Sequence, residues 1–470
     1  MKKIIVAVIL LVTLCFNMLA MTSCVQAKNT TDFVIPEEGF DTTTPITITF
    51  YHTMGQTLRP ILDKYIVEFN KLYPNITVEH KAVGGYDDVR DQISTEITVG
   101  AQPNIAYCYP DHVALYNVAK ATLPLDSLIA SDMTITRDDG TTETLGLTQE
   151  QIDDFIKGYY DEGKSFGDDK MYTLPMSKST EVLYYNKTFF EEHELSVPTT
   201  WDELEEVCKK IKEIDPKSTP LGYDSEANWF ITMCEQQQSP YTSSDVENHF
   251  LFDNEQNHAF VKRFRGWYEK GYITTQELYG SYTSGLFTKG GSYMSIGSSA
   301  GATKQCPTKE GDSYPFDVGI ATVPQLDASN PKVISQGPSL CIFNKENPQE
   351  VLASWLFMKF LTTNPYFQAA FSMTSGYIPV IKSAGEIPAY RDEFLANADG
   401  GDNIAALAAK VGLEQEAAYY TSPAFNGSSV ARDQVGLLMQ KCFTTQTDDV
   451  DGMIKKAFED AVAECAYQAG

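Results

Sequence analysis

The sequence contains none of the short motifs that carry metal or nucleotide chemistry. Its 470 residues include no H-E-x-x-H pattern, no Walker phosphate loop and no glycine-rich dinucleotide fingerprint after the first predicted strand. Its nine cysteines form no C-x-x-C pair, so the spacing typical of a zinc site is also missing. We therefore expect neither a metal nor a cofactor.

The cysteines do not suggest a disulfide framework either. Cys15 falls in an N-terminal apolar run and Cys24 at its end, which leaves an odd number: Cys108, Cys208, Cys234, Cys306, Cys341, Cys442 and Cys465. An odd set argues against complete pairing. We expect these side chains to act mostly as small buried hydrophobic groups.

Basic residues are scarce. Lysine and arginine number 36 against 63 aspartates and glutamates, which gives a formal net charge of −27. Such a surface repels nucleic acid and anionic membranes, and it disfavours a strongly anionic ligand unless a local basic pocket captures it. A neutral ligand fits this charge better.

Histidine is scarce too, and this bears on one tempting motif. Residues 297–301 read G-S-S-A-G and match the nucleophile elbow of α/β-hydrolases. That reaction needs a histidine later in the chain to take the serine proton, but the last of the six histidines is His258. The motif therefore does not predict a hydrolase. The many carboxylates leave a secreted glycosidase open as an alternative, without a motif to support it.

The one long apolar run lies at the N-terminus. Lys2 and Lys3 precede the apolar residues 4–16, and small residues lead to Cys24. This is the build of a secretory signal, and it is short for a membrane span. The small residues before Cys24 resemble a bacterial lipobox, so we predict a signal peptide over 1–23, lipidation of Cys24 and a polar tether over 24–45. Cleavage after Ala27 is the alternative.

Hydrophobic periodicity indicates an α/β fold. Residues 46–50 alternate as a strand, residues 58–69 carry an apolar stripe at helical spacing, and a second strand and helix follow over 76–97. This order predicts a largely parallel sheet. The length exceeds that of one typical domain, so we expect two lobes.

Several phrases, in order, resemble one protein family. They include F-Y-H-T-M-G at 50–55, Y-T-L-P at 172–175, L-Y-Y-N-K at 183–187, P-T-T-W at 198–201, F-T-K-G at 287–290 and G-Y-I-P-V at 376–380. Together they resemble the extracellular solute-binding proteins of carbohydrate ABC importers, the family of the maltose-binding and glycerol-3-phosphate-binding proteins. The resemblance runs from about residue 46 to the C-terminus.

The resemblance implies a two-lobed α/β fold of the periplasmic-binding-protein type, with a hinge that the chain crosses three times and a ligand cleft between the lobes. We expect the first lobe to comprise 46–176 and 304–341, and the second lobe 177–303 and 342–470. It also implies a monomer that hands its solute to permease subunits and reaches the membrane only through a lipid anchor.

The resemblance also implies a set of ligand contacts. Carried over position by position, they are Tyr86, Ser177 or Ser179, Ser298 or Ser299, Gly337, Tyr377 and Trp229. Sugars present hydroxyl rims and apolar C–H faces, so their sites combine aromatic rings with hydrogen-bonding groups. His52 and Asp111 are further candidate hydrogen-bonding residues on this chemical ground.

Two positions depart from the glycerol-3-phosphate binders. Their ligand-binding glutamate aligns near Pro110, so only the neighbouring Asp111 could replace it, and their phosphate-binding arginine aligns near Ala424. Arg432 is close in sequence but lies further into the following helix. A buried phosphate needs charge-assisted partners, so we expect a carbohydrate ligand, a di- or oligosaccharide, and keep glycerol 3-phosphate or a glycerophosphodiester as the alternative.

Overall fold

The computed structural model describes residues 32–166, 168–244 and 249–469. The strands, in chain order, are β1 (Ile46–His52), β2 (Ile76–Ala82), β3 (Ile105–Cys108), β4 (Thr134–Thr136), β5 (Thr142–Thr144), β6 (Leu174–Pro175), β7 (Ser179–Asn186), β8 (Leu221–Tyr223), β9 (Ile273–Thr275), β10 (Met294–Ser298), β11 (Val318–Ala321), β12 (Val333–Gln336), β13 (Ser339–Ile342) and β14 (Tyr419–Tyr420).

Helices alternate with these strands. They are α1 (Arg59–Leu72), α2 (Tyr86–Ile97), α3 (Pro110–Val118), α4 (Asp126–Ile129), α5 (Gln149–Asp154), α6 (Lys157–Asp161), α7 (Lys187–Glu192), α8 (Trp201–Ile214), α9 (Glu226–Gln237), α10 (Glu255–Glu269), α11 (Gln276–Tyr279), α12 (Ser284–Phe287), α13 (Pro348–Thr363), α14 (Pro365–Ser375), α15 (Ile404–Glu414), α16 (Ser428–Thr444) and α17 (Val450–Ala469). Short 3-10 segments cover 162–164, 299–304, 382–386, 395–397 and 416–418, and a π-helical turn covers 389–394.

The first lobe is built on a sheet with the strand order β2-β1-β3-β13-β6. β1 runs parallel to β2 and β3, and β13 runs antiparallel to β3. Ile48 and Phe50 point into the core from β1, which follows from the alternation of its sequence. The predicted parallel start of the fold is therefore present, and the sheet closes with antiparallel strands from later in the chain.

The second lobe contains a sheet with the order β14-β12-β7-β10-β8-β9, and β11 also pairs with β7. β8, β9 and β10 are parallel, so the carboxyl ends of these three strands meet at one edge. Helix α8 begins at the predicted capping box, in which the Thr200 hydroxyl accepts a hydrogen bond from the Glu203 amide.

The chain passes between the lobes three times: between β6 and β7, between β12 and β13, and between Ala384 and Ile404. At the first crossing the Lys178 ammonium is fully buried and pairs with Glu162. It also donates to the Gly337 carbonyl at 3.2 Å and to the Ser339 hydroxyl at 3.1 Å. One buried cation thus ties the first crossing to the second.

The lobe boundaries differ from the predicted ones after residue 303. Residues 304–341 were assigned to the first lobe, but β11 and β12 in this range pair with β7 of the second lobe. Residues 342–470 were assigned to the second lobe, but α13 and α14 pack in the core of the first. The reason is that β13 fits between β3 and β6, which carries the helices after it back to the first lobe.

The N-terminal segment also differs from its prediction. Residues 32–45 were assigned to a tether, but Phe40 is buried in the first lobe and the Asp41 amide donates to the Gln349 side chain at 2.9 Å. The predicted signal peptide, Cys24 and the start of the tether lie outside the described residues. In the described part, no helix combines the length and the apolar character that a membrane crossing requires.

Candidate functional site

A cleft between the lobes offers about 1840 Å³ of space, part of it open to solvent. Both lobes contribute to its walls. Residues from the first lobe include Tyr86, Arg90, Tyr109, Asp111 and Tyr377, and residues from the second include Ser179, Glu181, Asp224, Asn228, Tyr282, Ser298, Lys304, Gln305, Gln336 and Arg432.

The first lobe presents a group of tyrosines to the cleft. Tyr86 is the first residue of α2, directly after a turn in which Gly84 has a φ of +102°. Its ring stacks on Tyr109 with the centroids 4.4 Å apart, and its hydroxyl lies 3.3 Å from that of Tyr377. Burial raises the pKa of all three tyrosines, so they remain neutral and can both donate and accept hydrogen bonds. The tyrosine group itself is aromatic and uncharged, and the charged side chains of Arg90 and Asp111 lie beside it in the cleft lining.

The second lobe presents a linked polar network. Glu181 in β7 accepts from the Tyr223 hydroxyl at 2.5 Å and from the Asn228 amide at 2.8 Å. Asn228 in turn accepts from the Arg432 guanidinium. Burial raises the pKa of Glu181 to about 7. Arg432 forms no ion pair with a carboxylate in the described part of the chain.

Two further polar groups lie beside this network. Asp224 follows β8 and accepts from the Thr283 amide and hydroxyl, both at 2.7 Å, and burial raises its pKa. Its position matches the carboxyl edge of parallel strands, where α/β folds commonly place ligand-binding groups. The Gln305 amide donates to the Ser295 hydroxyl at 3.1 Å.

Arg90 joins the lobes across the cleft through polar contacts, one of which is an ion pair with Asp433 at 4.0 Å. The Arg90 guanidinium on α2 donates to the Ser429 hydroxyl on α16 at 3.0 Å. The same guanidinium pairs with Asp87 at 3.0 Å and Asp91 at 2.8 Å on its own helix. The lobes therefore meet at this point of the cleft.

Five predicted site residues line the cleft together. They are Tyr86, Tyr377, Ser179, Ser298 and Asp111. Ser298 precedes a 3-10 segment and accepts from the Ala300 amide at 3.2 Å. Asp111 lies in the first turn of α3. These side chains come from both lobes, so one ligand could contact several of them.

Trp229 does not line the cleft, and its assignment as an aromatic platform has to be corrected. Its side chain is 0% exposed in the core of the second lobe. It stacks on Tyr223 with the centroids 4.8 Å apart and packs against Phe264 at 4.3 Å. Helix α9 turns this residue towards the core and presents Asn228 to the cleft instead.

His52 and two predicted serines also lie outside the cleft lining. His52 is buried beside β2, where its ring bonds to His80 at 2.8 Å, and burial lowers its pKa to about 3. Ser299 is buried and accepts from the Thr180 amide at 3.3 Å, which is a structural role for the serine of the G-x-S-x-G motif. Ser177 is buried at the hinge. Burial at these positions keeps the side chains away from the cleft.

Gly337 lies at the second crossing between the lobes rather than in the main cleft. Its φ is +95°, and a Cβ atom there would come within 2.5 Å of the Ser177 carbonyl oxygen. The position therefore requires glycine for the path of the chain. It lines a smaller pocket beside the cleft.

Sequence reasoning missed Tyr109, Glu181, Asp224 and Asn228 as cleft residues. Two features of the sequence could have indicated Glu181 and Asp224. Glu181 is the one charged residue in the otherwise apolar or neutral strand β7, and Asp224 directly follows a short buried strand. The sequence suggests that Arg432 lies further into its helix than the arginine of the relatives, but it lies near the start of α16 and lines the cleft.

Within the described ranges, no group of three or more His, Cys, Asp or Glu side chains is arranged to hold a metal ion.

The sequence matches the profile of the family described as bacterial extracellular solute-binding protein over residues 64–398. The chain belongs to this family. Among curated solute-binding proteins, it is 22% identical over 355 residues to the maltotriose-binding protein of Pyrococcus abyssi, covering 74% of this chain and 69% of that protein. It is also 22% identical over 360 residues to the sn-glycerol-3-phosphate-binding periplasmic protein UgpB of Salmonella typhimurium, covering 73% and 76%.

Solved structures of solute-binding proteins share the fold. The cyclic alpha-maltosyl-1,6-maltose binding protein from Arthrobacter globiformis superposes with a TM-score of 0.68 at 19% identity, covering 90% of this chain and 99% of that one. The two-lobed fold expected from the sequence is thereby confirmed.

Proposed function

We propose that this solute-binding protein is the receptor of an ABC importer and that its ligand is a carbohydrate, a di- or oligosaccharide. The ligand binds between the lobes and contacts both of them, which favours the closed state. The closed protein then docks on the permease subunits and releases the sugar to them. The proposed receptor acts as a monomer and has no catalytic step.

The observation that carries this proposal is the composition of the two cleft walls. The stacked rings of Tyr86 and Tyr109 offer apolar faces of the kind that pack on the C–H face of a sugar. The opposite wall offers carboxylate and amide groups from Glu181, Asp224 and Asn228 for its hydroxyls. We propose Tyr86, Tyr377, Ser179, Ser298 and Asp111 as ligand contacts on the same ground.

A melting experiment tests the carbohydrate assignment. Ligands that bind only the folded protein stabilise it by RT ln(1 + [L]/Kd). We expect at least one member of a panel of mono- to pentasaccharides to raise Tm at millimolar concentration, with isothermal calorimetry giving the affinity. A panel without any shift would reject the assignment.

The second candidate ligand is glycerol 3-phosphate or a glycerophosphodiester, and one observation favours it. Arg432 lines the cleft and has a neutral hydrogen-bond partner, Asn228, in place of a carboxylate. A guanidinium in this state can bind phosphate. Against it, the cleft lining also contains Asp111, Glu181 and Asp224. The same melting panel should include glycerol 3-phosphate and glycerophosphocholine, and a shift with these alone would establish this alternative.

A secreted glycosidase is the rival from another class. Chromatography distinguishes the glycosidase from the receptor. Each saccharide that binds is analysed after a long incubation with the protein. We expect the saccharide to be recovered intact. Its hydrolysis, abolished by Glu181→Gln or Asp224→Asn, would favour the enzyme.

We also propose that the protein is anchored through lipidated Cys24 on the outer face of the cell membrane. The support is the sequence of the apolar run that ends in Thr22-Ser23-Cys24. Metabolic labelling with a fatty-acid probe should mark the wild type and leave Cys24→Ala unmarked. No label on either protein would mean that the leader is removed elsewhere, for instance after Ala27, and equal labelling of both would place the lipid on another residue.

A further inference from the structure

Two histidines of the first lobe belong to a chain of hydrogen bonds. His52, fully buried at the end of β1, accepts from the Met54 amide at 3.1 Å through its Nδ1 atom. Its Nε2 atom lies 2.8 Å from Nδ1 of His80 on β2. The Nε2 atom of His80 lies 2.8 Å from the Asp63 carboxylate on α1. The chain therefore links β1, β2 and α1.

The protons in this chain have one arrangement. A backbone amide can only donate, so Nδ1 of His52 carries no proton and its Nε2–H donates to Nδ1 of His80. His80 then holds its own proton on Nε2 and donates it to Asp63. Burial lowers the pKa of His52 to about 3, so this ring is neutral near pH 7.

An added proton does not fit this arrangement. On Nδ1 of His80 it would face the Nε2–H of His52, so two donors would meet. If His52 moved its proton to Nδ1 in order to accept, that N–H would face the Met54 amide. Protonation of the pair therefore breaks one bond of the chain, whichever ring receives the proton.

Helix α1 presents charged groups to the pair. The Asp63 side chain is 60% exposed and gives a protonated His80 a counter-ion. The positive charge of Arg59 opposes a proton on His52, in the same direction as burial does. An added proton therefore lies on His80, next to the carboxylate.

Among the described residues, the other elements packed against the pair present uncharged groups or point their charges away. From β3, the ring of Tyr107 lies 6.1 Å from the buried imidazole, and burial raises its pKa, so it is neutral. On β2, Glu79 and Lys81 are exposed on the face of the strand away from the pair. Helix α13 reaches β1 through apolar contacts such as that of Phe357 with Phe50.

The chain supports the turn that carries Tyr86. The His52 carbonyl accepts from the Val83 amide at 3.0 Å, and β2 runs from His80 into the same turn. The turn continues through Gly84, whose φ is +102°, and ends where Tyr86 begins α2 on the cleft wall. Neither histidine lines the cleft, so their effect on a ligand passes through this turn.

We propose that His52 and His80 are positioning residues for Tyr86 and that protonation of this pair weakens ligand binding. At neutral pH the intact chain fixes the turn and the tyrosine ring that it carries. In acid the broken bond loosens the turn, and binding then has to order it again, which lowers the affinity. Histidine ordinarily changes its charge between pH 5 and 8, so we expect the effect in that range. The inference rests on the proposed role of Tyr86 as a ligand contact.

The first test compares His80→Asn with wild type. The asparagine oxygen can accept from His52 as Nδ1 does, and it takes up no proton in this pH range. The control is His258→Asn, which removes a histidine of the second lobe that also bonds to a carboxylate, that of Asp253.

Two quantities are measured on each protein at pH 7.5 and 5.5. Hydrogen–deuterium exchange of the segment 83–90, corrected for the intrinsic effect of pH on exchange, reports on the turn without a ligand. Calorimetry gives the affinity, with maltose to maltopentaose, sucrose and raffinose as probes.

We expect wild type and His258→Asn to lose about threefold to tenfold in affinity on going to pH 5.5, beyond any loss in His80→Asn, in the range of one hydrogen bond. Exchange of the segment 83–90 should rise in acid in the same two proteins. Titration of Glu181 in the cleft acts on all three proteins and cancels in the comparison. Equal pH effects in wild type and His80→Asn would overturn the inference.

Asp63→Asn provides a second test that does not depend on the folding of His80→Asn. The Asp63 side chain is exposed, so the fold should tolerate this change. Without the counter-ion a protonated His80 is less favourable, so the loss of affinity and the rise in exchange should begin at lower pH than in wild type. An unchanged onset would also overturn the inference. If none of the saccharides binds wild type, the carbohydrate assignment fails, and the exchange measurements alone decide the role of the histidines.

Discussion

At the scale of single residues, the aromatic side chains of Tyr86 and Trp229 differ in their surroundings. Tyr86 is half-buried on the cleft wall, whereas Trp229 is enclosed by Tyr223, Trp201 and Phe264. Both were predicted from the sequence to contact ligand. The structure separates them, and substitutions at the two positions should have different effects.

We expect Tyr86→Ala to weaken binding of the best saccharide by about 10- to 100-fold, the range of one to two lost aromatic contacts, with a small change in stability. Trp229→Ala should instead lower the free energy of unfolding by about 3–5 kcal/mol, because it leaves a cavity in the core. Calorimetry and urea denaturation measure the two effects, with Tyr366→Ala as the exposed control. A stable Trp229→Ala protein with lost binding would show that the tryptophan contacts ligand after all.

Glu181 should make stability depend on pH. Burial raises its pKa from 4.5 to about 7, so the folded protein holds this proton more tightly than the unfolded chain does. The resulting stabilisation is complete below pH 4.5 and is lost as the pH rises to about 7. At about 1.4 kcal/mol per pH unit, the loss is on the order of 3 kcal/mol.

Urea denaturation of wild type and Glu181→Gln across pH 4 to 8 measures this effect. The difference in unfolding free energy between the two proteins should change in favour of the glutamine variant as the pH rises through that window. Glu393→Gln, at an exposed position, serves as the control. Parallel pH profiles for wild type and Glu181→Gln would mean that folding does not raise the pKa of Glu181.

At the scale of secondary-structure elements, the buried Lys178–Glu162 pair links the first two crossings between the lobes. Removal of one member leaves an uncompensated buried charge, so we expect Lys178→Met to lower the unfolding free energy by about 3–5 kcal/mol. The double variant Lys178→Met/Glu162→Gln should recover part of this loss. The matched control is Lys456→Met, which breaks an exposed pair with Asp460 and should leave the unfolding free energy nearly unchanged.

A double-mutant cycle by chemical denaturation provides these values. Additive effects of the two hinge substitutions would contradict a direct coupling between them. The ligand affinity of each variant should be measured in parallel, because the pair lies at the crossings and not in the cleft lining.

The elements near the N-terminus were predictable, because local periodicity specifies them. The alternation over residues 46–50 and the helical stripe over 58–69 appear as β1 and α1. The lobe to which later elements belong could not be read in this way. β12 and β13 are four-residue strands separated by Gly337 and Pro338, and they pair with different sheets. Such pairing depends on contacts between distant residues, which the local pattern does not contain.

The candidate site, too, could be predicted from the sequence only in part. Tyr86, Tyr377, Ser179 and Ser298 were reached through motifs that resemble the family, and they meet in the cleft. Trp229 was assigned in the same way but occupies the buried face of α9, one position from Asn228, which does reach the cleft. A shift of one residue turns a helical side chain by about 100°, so a motif match without the helix orientation does not distinguish the two faces.

At the scale of the whole molecule, the Arg90–Ser429 bond exists only while the lobes are close together. Arg90→Ala should lower the population of the closed state and thereby raise the apparent Kd by roughly threefold to tenfold. Calorimetry measures the affinity, and small-angle X-ray scattering of the ligand-bound protein should show a larger radius of gyration than wild type. Arg391→Ala, which removes an exposed arginine from a different surface, should change neither quantity. Equal affinities for all three proteins would exclude a role for this bond in closure.

The packing of residues 32–45 against the first lobe has a consequence for how the protein would sit at the cell surface. Under the proposed attachment at Cys24, only residues 25–31 separate the lipid from the folded lobe, and these seven residues span about 25 Å at full extension. Under this proposal the first lobe is confined to a shell next to the bilayer. Such a receptor searches for its permease in two dimensions at short range, and lengthening the segment 25–31 should slow transport without changing the affinity for sugar.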